Sequence, residues 1–184
     1  MTPINKSIPL FIIMETLGTY YTGQKDGQIH TFYHIRKCGG IAIREHYNLT
    51  PTHEIPQDTT HLFTTVRDPY KRFISSMNNI LKVNPHITLE DCIPSPWTLQ
   101  DTPYEYLHQT ASISEYLRNT PKTMQIYHLE DFGKGFQDRN VSKRKEPHYR
   151  RRYAEVTLTP YQKDYVRDLY KEDFESEWGK RYDV

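Results

Sequence analysis

HIRKCGG, residues 34–40, ends a β-prone run over residues 29–35 and opens a helix-like one, with a lysine and two glycines at the junction. The pattern predicts a strand, a tight turn and a helix over residues 41–47. The first N–H groups of such a helix have no intrahelical partner and carry the positive end of its dipole. Glycines let an anion approach the backbone closely, and a lysine adds a mobile charge. Lys37 to Gly40 therefore read as a turn that holds a phosphate or sulfate.

Outward from this turn, short β-branched or aromatic runs at residues 8–14, 29–35, 61–66 and 124–129 predict strands. A helix is predicted over residues 69–83, with Asp68 as N-cap, Pro69 at the first position and Phe73, Ile74, Met77, Ile80 and Leu81 on one face. A second is predicted over residues 159–175, opened by the capping box Thr159-Pro160-Tyr161-Gln162. A third, weaker pattern runs from about residue 103 to residue 118, and the proline-rich segment 84–102 reads as a loop or lid. Strands alternating with helices predict an α/β fold of three layers, a central and mostly parallel sheet flanked by helices. In such sheets ligands bind beyond the carboxyl ends of the strands, which is where the Lys37 turn falls.

With 184 residues, the chain is long enough for one domain with a real core and too short for two comfortable ones, so residues 1–184 are expected to form a single domain. The longest apolar stretch, residues 8–14, is interrupted by Pro9 and falls far below the ~20 residues of a membrane span. Cys38 and Cys92 have no metal-ligand spacing and are too few for a disulfide framework. A cytoplasmic setting with no membrane partner is expected. The net charge of +1 is unevenly spread, with KRKEPHYRRR at residues 143–152 carrying +5 within ten residues, and nucleic acid is not the expected partner.

TTVRDPYKRFISS, residues 64–76, supplies a second anion signal. Arg67 lies at the end of one strand and Ser75 two turns into the next helix, where a guanidinium and a hydroxyl can converge on a phosphate. Two anion sites on adjacent strand ends imply a ligand with phosphates at both ends. The pattern G-x-x-x-x-G-K-[ST] is absent, which argues against ordinary ATP or GTP hydrolysis.

Taken together, these segments resemble the carbohydrate-type sulfotransferases that use 3′-phosphoadenosine 5′-phosphosulfate (PAPS). FYHIRKCGGIAI is similar to their 5′-phosphosulfate loop, HIPKTGGTSI, and TTVRDPYKRFISS to their 3′-phosphate segment, VRDPYxRxxS. MQIYHLEDF, NVSKRK and LTPYQKDYVRDLYKEDFE follow in the family's order, so the resemblance covers about residues 29–175, while the first 28 residues match nothing.

The resemblance implies a P-loop-NTPase-like fold and transfer of a sulfuryl group from PAPS to an acceptor hydroxyl, with a saccharide as the expected acceptor and no metal. It implies that Lys37 stabilises charge on the leaving phosphate as a catalytic residue, and that Arg36, Lys37, Cys38, Gly39, Gly40, Ile41 and Ala42 form the 5′ loop. Arg67 and Ser75 fall on the pair that holds the 3′-phosphate, and Lys143 and Arg144 lie in a region near it. Arg36 replaces the family's proline, Cys38 a threonine, and Ile41 and Ala42 a Thr-Ser pair whose hydroxyls normally bond the phosphosulfate. A bond of that kind to a charged group contributes ~1.5–3 kcal/mol.

The acceptor hydroxyl needs a base, and His53, in LTPTHEIPQD, is the candidate, with Glu54 as its rival. His34, His46 and His61 read as structural. The alternative is a sulfotransferase-like protein without catalysis that binds a polyanion, a glycan or nucleic acid, through residues 143–152.

Overall fold

The computed structural model describes residues 17–83, 89, 110–132 and 157–183. Strands β1 (Thr19–Lys25) and β2 (Gln28–His34) form a hairpin in which Lys25 pairs with Gln28. The two-residue turn between them, Asp26 at φ 52° and Gly27 at φ 76°, has both residues in the left-handed region that a type I′ turn requires. Helix α1 (Gly40–Tyr47) follows and stops at Asn48, a left-handed C-cap whose N–H donates to the Arg44 carbonyl. Short strand β3 (Thr50–Thr52), strand β4 (His61–Val66) and helix α2 (Pro69–Val83) come next. Helix α3 (Ile113–Leu117), strand β5 (Gln125–His128), helix α4 (Pro160–Leu169) and helix α5 (Lys171–Glu175) complete the main elements.

The five strands form one mixed sheet in the order β3-β1-β2-β4-β5. Strands β2, β4 and β5 are parallel, with His30 opposite His61 and Val66 opposite His128. Strand β1 is antiparallel to both β2 and β3, so half of the strand pairings are antiparallel where a mostly parallel sheet is expected. The difference arises in residues 17–28, where the Asp-Gly turn adds a strand and a chain reversal that the family resemblance does not reach. Because β3 is antiparallel to β1, it runs with β2, β4 and β5. Four strands therefore deliver their carboxyl ends to one edge.

Alternation along the strands divides the core between the two faces of the sheet. On one face Phe32 and Phe63 pack with Ile43 of α1 and with Leu49. On the other, Tyr33, Ile35 and Val66 pack with Ile113 and Tyr116 of α3 and with Met124. A further cluster joins Phe73, Met77 and Ile80 of α2 to Val166, Tyr170 and Phe174.

Helix α2 has the predicted bounds, and Asp68 caps it by accepting the N–H of Tyr70 at 2.8 Å. The stretch 159–175 forms two helices and not one. Tyr170, at φ −112° and ψ 31°, breaks it and turns its fully buried ring into the core, and Asp173 and Phe174 follow it inward. The pattern over 103–118 is likewise not continuous: Ser112 has extended backbone and begins α3 with a capping box closed by Glu115. The predicted strand at 8–14 and the first part of that pattern lie outside the described residues.

Candidate anion site at the strand ends

Lys37 stands in the turn between β2 and α1 at φ 66°. Among the described residues two other non-glycine residues have positive φ, Asp26 and Asn48, and both are types that tolerate the left-handed region in turns and caps. Lysine is not. A left-handed lysine costs of order 1 kcal/mol and persists where surrounding contacts hold it.

Those contacts come from β4 and α2. The Arg36 carbonyl accepts Nε–H of Arg72 at 3.1 Å, the Lys37 carbonyl accepts from Nη1 of Arg67 at 3.3 Å, and the Cys38 carbonyl accepts the Thr65 hydroxyl at 2.6 Å. Three consecutive carbonyls are thus held from the same neighbouring segment. In a planar trans peptide the N–H points opposite to the preceding carbonyl, so the N–H groups of Lys37, Cys38 and Gly39 turn away from that segment. The Cys38 N–H is used locally, donating to the Ile35 carbonyl at 3.3 Å.

Gly39, at φ 80°, is the N-cap of α1 and supplies no side-chain cap. The first N–H groups of the helix are left to another partner. Both glycines are also sterically required, since a Cβ on Gly39 would strike Leu129 and one on Gly40 would strike the ring of His34. The Leu129 contact ties the turn to the segment that follows β5. There Glu130 accepts the Asp68 N–H at 3.2 Å and the Tyr182 hydroxyl at 2.7 Å, which fixes the start of α2 beside Arg67.

The fold brings Lys37, Gly39, Gly40 and Arg67 together at the strand ends. Arg36 is exposed, and Ser75 is half-buried on α2. The Cys38 side chain is fully buried in the core, and burial pushes its thiol up to about 11, so it can neither ionise readily nor reach a ligand above the turn. Ala42 is buried and Ile41 is exposed, so neither offers a polar group in place of a hydroxyl. His53 and Glu54 are exposed just past β3, at the same edge but two strands away from β2. Lys143, Arg144 and the rest of the basic run lie outside the described residues.

Two further polar groups lie at the turn: Arg72, to which sequence reasoning gave no role, and His34, which it read as structural. Arg72 lies beneath the turn with none of its surface exposed; the spacing Arg67-x-x-x-x-Arg72 was its signal. His34 lies below Gly40, held neutral at about 4 by burial first and then by Arg44, Arg36 and Lys37. His61 is structural: its Nδ1 meets Nδ1 of buried His30 at 2.9 Å, and its Nε2 lies 3.1 Å from the Tyr127 hydroxyl.

The arrangement fits an anionic ligand on chemical grounds. Lys37, Arg36 and Arg67 are cations beside outward N–H groups and a helix N-terminus, whereas hydroxyl donors on the loop itself are missing. No known protein family matches the chain, and no curated protein or solved structure is significantly similar to it. Among the described residues no helix is long and apolar enough to cross a membrane, and no group of three or more metal-ligating side chains occurs.

Proposed function

We propose that this chain is a PAPS-dependent sulfotransferase with a P-loop-like fold, acting on a hydroxyl acceptor for which a saccharide is the leading class. The observation that carries this reading is the meeting of the two sequence motifs: the Arg67 guanidinium reaches the Lys37 carbonyl, so the residues assigned to the 3′-phosphate and 5′-phosphosulfate are neighbours. Parallel pairing of β2 and β4 supports it, because it sends both motifs to one edge of the sheet.

PAPS supplies an activated sulfuryl group on a phosphate leaving group. The chain's contribution is positioning and charge stabilisation. Lys37 and the N–H groups of Gly39 and Gly40 stabilise charge on the 5′ side, and Arg67 with Ser75 holds the 3′-phosphate. Backbone donors and the extra charge of Arg36 take the place of the loop hydroxyls. His53 is the candidate to take the acceptor proton, with Glu54 as the competing carboxylate.

Calorimetric titration with 3′-phosphoadenosine 5′-phosphate (PAP), with AMP and ATP as controls, tests the reading. Binding that depends on the 3′-phosphate is the expected result. Equal affinity for AMP and PAP, or no binding to either, would overturn it.

A further inference from the structure

We propose that Arg72 is a positioning residue that sets the anion-binding turn from below. Arg72 lies on α2 and has no exposed surface. Its Nε–H donates to the Arg36 carbonyl at 3.1 Å, while Nη1 and Nη2 have no hydrogen-bond partner among the described residues. The guanidinium carbon lies 5.8 Å from the Tyr116 ring centre and 5.7 Å from that of Tyr170.

The buried carboxylate of Asp173 is engaged elsewhere, accepting the N–H groups of Ile113 at 2.9 Å and Ser114 at 2.7 Å. It balances the charge of Arg72 at a distance but does not complete its hydrogen bonds. As a tie between helices alone, Arg72 is a poor choice, because an apolar side chain of that length fills such a space without the cost of burying a cation. The group that the buried cation does bond is the carbonyl just before left-handed Lys37.

That bond has two consequences for the turn. It points the Arg36 carbonyl inward, which turns the Lys37 N–H outward, and it restrains the peptide that leads into the strained residue. It also fixes a positive charge under the turn, where water and salt screen it little. The ligand side of this inference rests on the sulfotransferase reading. The effect on the backbone does not.

Arg72→Met, near in volume and uncharged, separates the two. Its melting temperature should fall, because buried Asp173 loses its counter-charge and the Arg36 carbonyl its donor, so the order parameters are read on the folded protein well below that temperature. NMR order parameters of amides 37–40 should fall from about 0.85 towards 0.6 while those of β2 and β4 stay constant. PAP affinity should fall about tenfold or more, with Arg72→Lys intermediate because it keeps the charge. Unchanged order parameters at 37–40 in Arg72→Met would overturn the proposal. If the parent protein fails to bind PAP, the sulfotransferase reading falls and the order parameters still decide the role of Arg72. Should Arg72→Met fail to fold, Arg72→Lys decides alone: it lacks the Nε–H anchor, and a turn as rigid as the parent's would overturn the proposal.

Discussion

Nη1 of Arg67 donates to the carbonyl of Lys37 at 3.3 Å, across from the end of one parallel strand to the turn after its neighbour. Under the proposed function this gives Arg67 two tasks: it holds the backbone of the Lys37 turn, and its guanidinium, with five N–H groups in a fixed fork, has further donors to offer the 3′-phosphate.

From these two tasks follows a thermodynamic cycle. Arg67→Ala should weaken PAP binding by ~2–3 kcal/mol, the loss expected for charged hydrogen bonds. Removing the 3′-phosphate from the ligand should cost the parent protein a similar amount. In Arg67→Ala the two losses should not add, so AMP and PAP should bind it alike. Calorimetry on both proteins with both ligands checks this, and fully additive losses would place the 3′-phosphate elsewhere.

Lys37 offers a test in which stability and function move in opposite directions. Lys37→Gly relieves a left-handed side chain and should raise unfolding stability by up to ~1 kcal/mol, less the entropy that glycine gains in the unfolded chain. Under the proposed function the same change should abolish sulfuryl transfer, since it deletes the charge assigned to the leaving phosphate. Urea denaturation and a transfer assay check the pair of outcomes. If Lys37→Gly keeps activity, Lys37 is only a turn residue.

Helix α2 and strand β4 were legible because local and global preferences agree there: Asp68 and Pro69 mark a start, and Phe73, Met77 and Ile80 keep one face towards the core. Strand β1 was not read, although Asp26-Gly27 followed by Ile29 is a hairpin signal, because Thr19–Lys25 lacks the aliphatic run used to find the other strands. Strand β3 is three residues long and contains Pro51, so it exists only through its pairing with β1. The Tyr170 break was hidden since Tyr165, Val166, Leu169, Tyr170 and Phe174 fit one helical stripe; burial of Tyr170 against α2 and the bonds of Asp173 to α3 decide it, and both are tertiary. In the site, spacing could propose that Lys37 and Arg67 converge. Arg72 escaped because a basic residue on a helix reads as solvated until its burial is known.

Cys38 should be chemically silent. On a Cys92→Ser background, alkylation of the native protein at pH 8 should be at least ~100-fold slower than in urea, because the thiol is fully buried and its ionisation is pushed up to about 11. Labelling followed by mass spectrometry measures it. Fast native labelling would mean that the turn opens and the thiol leaves the core.

His34 makes the fold acid-sensitive in a direction set by its position. Burial and the nearby cations Arg44, Arg36 and Lys37 lower it from 6.5 to about 4, so the unfolded chain binds this proton more readily than the folded one. Its contribution is complete above pH 6.5 and is lost as pH falls towards 4, amounting to as much as ~3 kcal/mol. His61 and His128 are lowered too, with burial the leading cause, and add to the same acid limb. His34→Phe keeps a ring against Gly40 and removes the titration, so its stability should vary less between pH 4 and 6.5 than that of the parent protein. Urea midpoints across this range measure the difference. An equally steep acid limb in His34→Phe would show that His34 titrates normally and that the turn above it is more open than the packing of Gly40 on its ring implies.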